Sequence, residues 1–179
     1  DLPAKEGARN STAAGHLKAA LKSNPSPIYS KRFVKRIQVG NFEDDLEELG
    51  KCDWIIEVIV ERLDIKQQLF ERIETVRKPG TLITSNTSGI PIQQLSEGRS
   101  DDFQAHFCGT HFFNPPRYLK LLEIIPNPKT DKSVIDFFMH YGDLYLGKTT
   151  VLCKDTPAFI ANRIGVFGIM SLFHLVEKM

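Results

Sequence analysis

The period of the apolar positions changes several times along the chain, and each change marks an element. Residues 13–23 (AAGHLKAALKS) place Leu17, Ala20 and Leu21 at helical spacing, and Asn24-Pro25-Ser26-Pro27 ends that stretch. Residues 1–12, polar and rich in Gly, Asn and Ser, read as a loop. After a short segment at 36–39 and Gly40-Asn41, the acidic run 43–49 (EDDLEEL) predicts a short helix with acids in its first turn. Residues 54–60 (WIIEVIV) are β-branched or aromatic apart from Glu57, and predict a buried parallel strand. An amphipathic helix follows at 65–76, with Leu69, Ile73 and Val76 on one face; Lys78-Pro79-Gly80 ends it, and 81–85 (TLITS) is the next strand. Strand, helix and strand together make a βαβ unit, which predicts a parallel sheet with a right-handed crossover. Further strands are predicted at 107–113, 119–125 and 149–153, a helix at 133–141, and an apolar helix from Thr156-Pro157 to the end.

The expected architecture is therefore α/β with a mostly parallel sheet. Ligands of such sheets bind outside the carboxyl ends of the strands. Polar groups stand at three of these exits: Glu61 and Arg62, Asn86-Thr87-Ser88, and Asn114-Pro115.

Charge narrows the partners. A formal net charge of +1 gives no electrostatic reason to expect nucleic acid or an anionic membrane. No apolar run approaches the roughly 20 residues that cross a bilayer. Cys52, Cys108 and Cys153 are scattered and odd in number, with no metal-ligand spacing, and suit a reduced intracellular protein. No metal site is expected.

The densest chemistry lies in His111-Phe112-Phe113-Asn114-Pro115, with Glu123 twelve residues on. If Pro115-Pro116 turns the chain back, strand 119–125 can lie beside the strand of His111. Its carboxylate then holds one imidazole nitrogen while the other takes a proton. The competing reading is a buried histidine satisfied by a backbone carbonyl, with Glu123 on a solvent face. Against it stands the cost of an unpaired carboxylate in the apolar strand LKLLEII. His16, His106, His140 and His174 read as structural.

Four segments in order, WIIEVIVERLDIK (54–66), SNTSG (85–89), THFFNPPRYLKLLEII (110–125) and CKDTPAFIANR (153–163), resemble the 3-hydroxyacyl-CoA dehydrogenase family over residues 40–179. The resemblance implies a Rossmann-like NAD-binding domain over 1–155, lacking its first βαβ segment, and the first helix of an all-helical substrate and dimerisation domain over 156–179. It implies NAD-dependent oxidation of L-3-hydroxyacyl-CoA in fatty-acid β-oxidation, with His111 as general base, Glu123 as its partner, and Ser88 and Asn162 on the substrate hydroxyl. Glu61, Lys66, Ser88, Asn86 and Asn114 match cofactor positions, and Lys22 is the choice for the CoA nucleotide beside the basic cluster at 31–36.

Two departures stand out. No G-x-G-x-x-G occurs in these residues, and Asp1 falls where the family carries its ribose-binding acid. A sheet without its central first strand would leave an apolar edge, so a longer parent chain is expected, and these residues alone are expected to be inactive. Pro116-Arg117-Tyr118 replaces residues that are apolar in shorter members and points towards longer bacterial ones, hence a cytoplasmic protein; the helical C-terminal domain implies a homodimer, and Arg117 reads as a solvated turn residue rather than a CoA-phosphate contact. Two alternatives remain: a β-hydroxyacid dehydrogenase acting on free acids, and a non-catalytic NAD-binding homologue.

Overall fold

The computed structural model describes residues 2–4 and 7–179. Asp1, the expected ribose-binding acid, lies outside them. Among the described residues five strands form one sheet in chain order. They are β1 (Trp54–Glu57), β2 (Leu82–Ser85), β3 (Phe107–Phe112), β4 (Leu121–Pro126) and β5 (Thr149–Leu152). β1, β2 and β3 run parallel, β4 is antiparallel to β3, and β5 is parallel to β4. The mostly parallel α/β sheet expected from the sequence is present.

Among the described residues six α-helices accompany the strands: α1 (Ser11–Lys22), α2 (Leu63–Val76), α3 (Ile92–Ser96), α4 (Asp101–Ala105), α5 (Lys132–Leu144) and α6 (Ala161–Val176). α2 buries Leu69, Phe70 and Ile73 against Ile55, Ile83, Phe103 and Phe107. Each such side chain contributes roughly 1.5–3 kcal/mol of burial. The three phenylalanines 70, 103 and 107 pack ring on ring with centroids 5.1–5.7 Å apart. A second core lies between α5 and Cys108, Leu122 and Ile124. There Gly142 is required, because a β-carbon would stand 2.4 Å from Thr150 Cγ2.

Several boundaries differ from expectation. The 54–60 run leaves the ladder after Glu57, because the Ile59 amide turns in to bond Glu57 Oε1 at 2.6 Å; Val58 and Val60 are exposed. The acidic stretch forms a 3₁₀ turn at Leu46–Lys51, later than the helix expected at 43–49. The short helices α3 and α4 were not expected. They are held by tertiary contacts that no local period announces: Asp155 accepts the Ile92 and Gln93 amides (both 2.9 Å), and Phe103 is fully buried. The terminal helix starts at Ala161 rather than at 156, since Ala158 and Phe159 adopt positive φ (63° and 47°). From Arg163 to Met179 every residue is exposed. No helix among the described residues is long and apolar enough to cross a membrane.

Candidate active site

The site is assembled at the carboxyl ends of β1, β2 and β3. Antiparallel pairing of β3 with β4 puts His111 directly opposite Glu123, as the sequence had suggested. His111 Nδ1 lies 2.7 Å from Glu123 Oε2, and both side chains are buried. A buried carboxylate is an acceptor only, so Nδ1 carries the proton and Nε2 presents its lone pair. That nitrogen lies 3.0 Å from Ser88 Oγ, on the exposed turn after β2. The competing reading of a histidine bound to a backbone carbonyl, with Glu123 facing solvent, is excluded by this geometry.

Glu123 is also held from its other side. Oε1 accepts the amides of Ile160 (3.1 Å) and Ala161 (2.8 Å) where α6 begins. The two left-handed residues aim those amides, at a cost of order 1 kcal/mol each. They also seat the buried ring of Phe159 against His111, with centroids 5.5 Å apart; Phe113 packs on the imidazole at 4.6 Å. Cys153 lies nearby, and burial together with the Glu123 charge pushes its thiol up to about 12. It is a neutral packing group at working pH.

Asn162 follows in the first turn of α6, half-buried and one residue beyond the Ala161 amide. Asn86 Oδ1 accepts the Phe112 amide at 2.8 Å and so ties the exits of β2 and β3 together. Asn114 is exposed beyond β3. Glu61 is turned into the 87–89 turn. Its Oε1 accepts the Thr87 hydroxyl and the amides of Ser88 (3.0 Å) and Gly89 (3.1 Å). Burial raises the Glu61 carboxyl, but these donors and the Lys66 charge outweigh it and hold the group below its ordinary value.

Lys66, expected at a cofactor position, is buried at the base of this turn. Its side chain is 1% exposed, and Nζ lies 2.8 and 2.9 Å from the two Glu57 oxygens, 3.3 Å from the Ile59 carbonyl and 3.3 Å from Glu61. Lys22 is exposed at the end of α1 and is not brought to the His111 cluster by any bond. Arg117, expected to be solvated, is half-buried: it donates to the carbonyls of Ser26 (2.7 Å) and Ile28 (3.1 Å) and covers the Tyr29 ring. Sequence reasoning named Thr87 only as a polar strand-exit residue and did not place Glu57 or Phe159 in the site. Glu57 left a signal, as the lone charge in an apolar run.

A histidine clamped by a buried carboxylate, beside a serine hydroxyl at the strand exits of an open α/β sheet, is the equipment of a nucleotide-dependent dehydrogenase. Residues 4–156 match the family model of the 3-hydroxyacyl-CoA dehydrogenase NAD binding domain. A Bacillus subtilis protein described as a probable 3-hydroxyacyl-CoA dehydrogenase is 53% identical over 154 residues, which are 86% of this chain and 20% of its own length. A Deinococcus radiodurans protein of the same description is 48% identical over 170 residues, 95% of this chain and 49% of its own. Among solved structures, 3-hydroxybutyryl-CoA dehydrogenase of Escherichia coli superposes with a TM-score of 0.70 at 30% identity, over 86% of this chain and 32% of that one. Mycobacterium tuberculosis FadB2 superposes at 0.75 with 27% identity, over 95% and 59%. The chain belongs to the 3-hydroxyacyl-CoA dehydrogenase family and carries its NAD-binding domain. It spans between a fifth and a half of the length of these two curated relatives.

The residues present fit the nicotinamide side of that cofactor. Ser88, on the exposed turn after β2, meets His111 Nε2, which is the nitrogen aimed out of the buried pair. The glycine loop that would hold the pyrophosphate is not among these residues.

Proposed function

We propose that this chain supplies the proton-transfer half of an enzyme that oxidises L-3-hydroxyacyl-CoA to 3-oxoacyl-CoA. The observation that carries the reading is the position of His111, clamped by Glu123 on one nitrogen and meeting Ser88 with the other. Bound NAD supplies the acceptor for the hydride that leaves C3 of the substrate. His111 Nε2 takes the hydroxyl proton as that carbon becomes a carbonyl. The ring then carries a positive charge, and Glu123 stabilises it across a 2.7 Å hydrogen bond in a buried setting. Ser88, sharing Nε2, holds the substrate hydroxyl in line with the lone pair, and Asn162 flanks it from α6. Asn86, Asn114 and Glu61 border the nicotinamide, and Lys22 with the 31–36 cluster faces the CoA phosphates.

The protein works in the cytoplasm as a homodimer on this reading. Support comes from three free cysteines and from α6, where Ile164, Phe167, Met170 and Phe173 are at least 60% exposed and offer apolar surface to a partner.

The test is reduction of acetoacetyl-CoA by the full-length protein, followed as NADH absorbance. Turnover with the thioester and none with free acetoacetate is expected. His111→Gln should abolish turnover and leave NADH affinity nearly intact. Equal activity on the free acid, or an active His111→Gln variant, overturns the reading.

A further inference from the structure

The near-neutral net charge of the chain hides one strongly basic segment. Between Gly7 and Phe42 stand seven lysines and arginines and not one aspartate or glutamate, so the remaining residues are net acidic. Arg9 is neutralised by Glu43 and Asp44. The four cations of the 3₁₀ turn Lys31–Arg36 are all exposed, and none of them pairs with a carboxylate among the described residues. Arg32 and Arg36 lie instead over the Phe33 ring, at 4.9 and 4.8 Å. Four like charges within six residues raise the local potential and attract a polyanion.

A latch from the turn between β3 and β4 fixes the chain that leads into these cations. Arg117 Nη1 donates to the carbonyls of Ser26 (2.7 Å) and Ile28 (3.1 Å), and the Tyr118 hydroxyl donates to the Ser26 carbonyl at 2.9 Å. The guanidinium also covers the Tyr29 ring, 3.9 Å from its centroid, and lies 5.2 Å from that of Tyr118. Lys148, just before β5, pins the same turn by donating to the carbonyls of Pro116 and Leu119. Arg117 follows His111 by six residues, past the exit of β3, and Lys31 follows Tyr29 by two. The latch therefore ties the basic turn to the strand that carries the base. A guanidinium serving two carbonyls and stacked on a ring acts as a brace, which the point charge of a lysine would not reproduce.

We propose that Arg117 and Tyr118 are specificity-determining positioning residues, which hold the 31–36 turn beside the exit of β3 so that its cations receive the phosphates of the CoA nucleotide. Thioesters that carry that nucleotide are thereby preferred over thioesters that lack it. The inference rests on the proposed oxidation of 3-hydroxyacyl-CoA with phosphate contacts at 31–36. Arg117 contributes through the segment it braces and not by touching phosphate itself.

The experiment uses the full-length protein with NADH and two substrates, acetoacetyl-CoA and acetoacetyl-pantetheine, the same thioester without the nucleotide. Arg117→Met removes both carbonyl bonds and the charge over Tyr29. Its KM for acetoacetyl-CoA should rise about tenfold or more, the loss expected with charge-assisted hydrogen bonds, while kcat stays within about twofold. Its KM for acetoacetyl-pantetheine should stay at the wild-type value. Tyr118→Phe keeps every charge and loses only the bond to Ser26, so KM for acetoacetyl-CoA should rise about threefold. With Lys31, Arg32, Lys35 and Arg36 all changed to glutamine, adding Arg117→Met should raise that KM by no more than about twofold, because the cations it places are gone. A merely structural latch would raise KM equally for both thioesters or give losses that multiply in the glutamine background, and either result overturns the proposal. So does a Tyr118→Phe enzyme with unchanged KM beside an impaired Arg117→Met, which would make Arg117 a direct phosphate contact. If Arg117→Met does not fold, Tyr118→Phe carries the same comparison of thioesters. Failure of the underlying reading looks different: wild type would reduce neither thioester, or the glutamine variant would keep the wild-type KM for acetoacetyl-CoA.

Discussion

Glu123→Gln is the sharpest probe of the site, because the structure dictates how the new amide must sit. Oε1 of Glu123 receives two backbone amides, from Ile160 and Ala161, so the glutamine must place its carbonyl there. Its NH₂ then faces His111 Nδ1, where the carboxylate had accepted a hydrogen bond at 2.7 Å. Two donors cannot share that contact. The imidazole responds by moving its proton to Nε2, which removes the lone pair from the side that meets Ser88 and the substrate. The variant loses both the base in its working tautomer and the negative charge opposite the imidazolium. General-base help amounts to roughly 10²- to 10⁴-fold, about 3–5 kcal/mol of transition-state stabilisation. A comparable tautomer error in serine proteases costs roughly 10⁴-fold. Folding should suffer little, since both backbone amides keep an acceptor. Glu123→Ala, by contrast, strands two amides and an imidazole N–H, each at about 1–3 kcal/mol, and should lower Tm sharply. The assay is kcat/KM for acetoacetyl-CoA with the full-length protein, alongside thermal unfolding. A Glu123→Gln enzyme within tenfold of wild type would refute the reasoning, as would one that loses Tm as much as Glu123→Ala.

Two other outcomes follow from the packing. Gly142→Ala pushes a methyl to 2.4 Å from Thr150 Cγ2 and 3.2 Å from Leu122 Cδ2. It should destabilise by about 1–3 kcal/mol in urea unfolding; adding Thr150→Ser, which deletes the clashing methyl, should recover part of that loss, and no recovery would refute the steric account. Iodoacetamide at pH 8 should label Cys52 and spare Cys153, which is buried and whose thiol is held near 12, and Cys108, whose thiol burial pushes higher still. Raised thiols carry almost no thiolate at that pH; peptide mapping that found Cys108 or Cys153 labelled in the native protein would contradict the burial described.

Local pattern alone determined the long elements. The 3.6-residue period of α2, the β-branched run of β1 and the Pro-Gly stop between α2 and β2 are signals of adjacent residues, and each element formed within a few residues of its expected place. The short helices α3 and α4 were illegible because five residues hold no period, and their stability comes from Asp155 and from a phenylalanine cluster distant in sequence. The candidate site divides in the same way. His111 and Glu123 stood out because a charged group in an apolar strand needs a partner, and the twelve-residue spacing with a Pro-Pro turn allowed one. That Glu123 is also capped by the α6 amides, that Ser88 reaches Nε2, and that Lys66 turns inward were decisions of tertiary structure. Each depends on which strand exits become neighbours and on which oxygens are already satisfied. Sequence names the groups able to do the chemistry; only the packed sheet decides which of them face one another and which stand behind, holding the others in place.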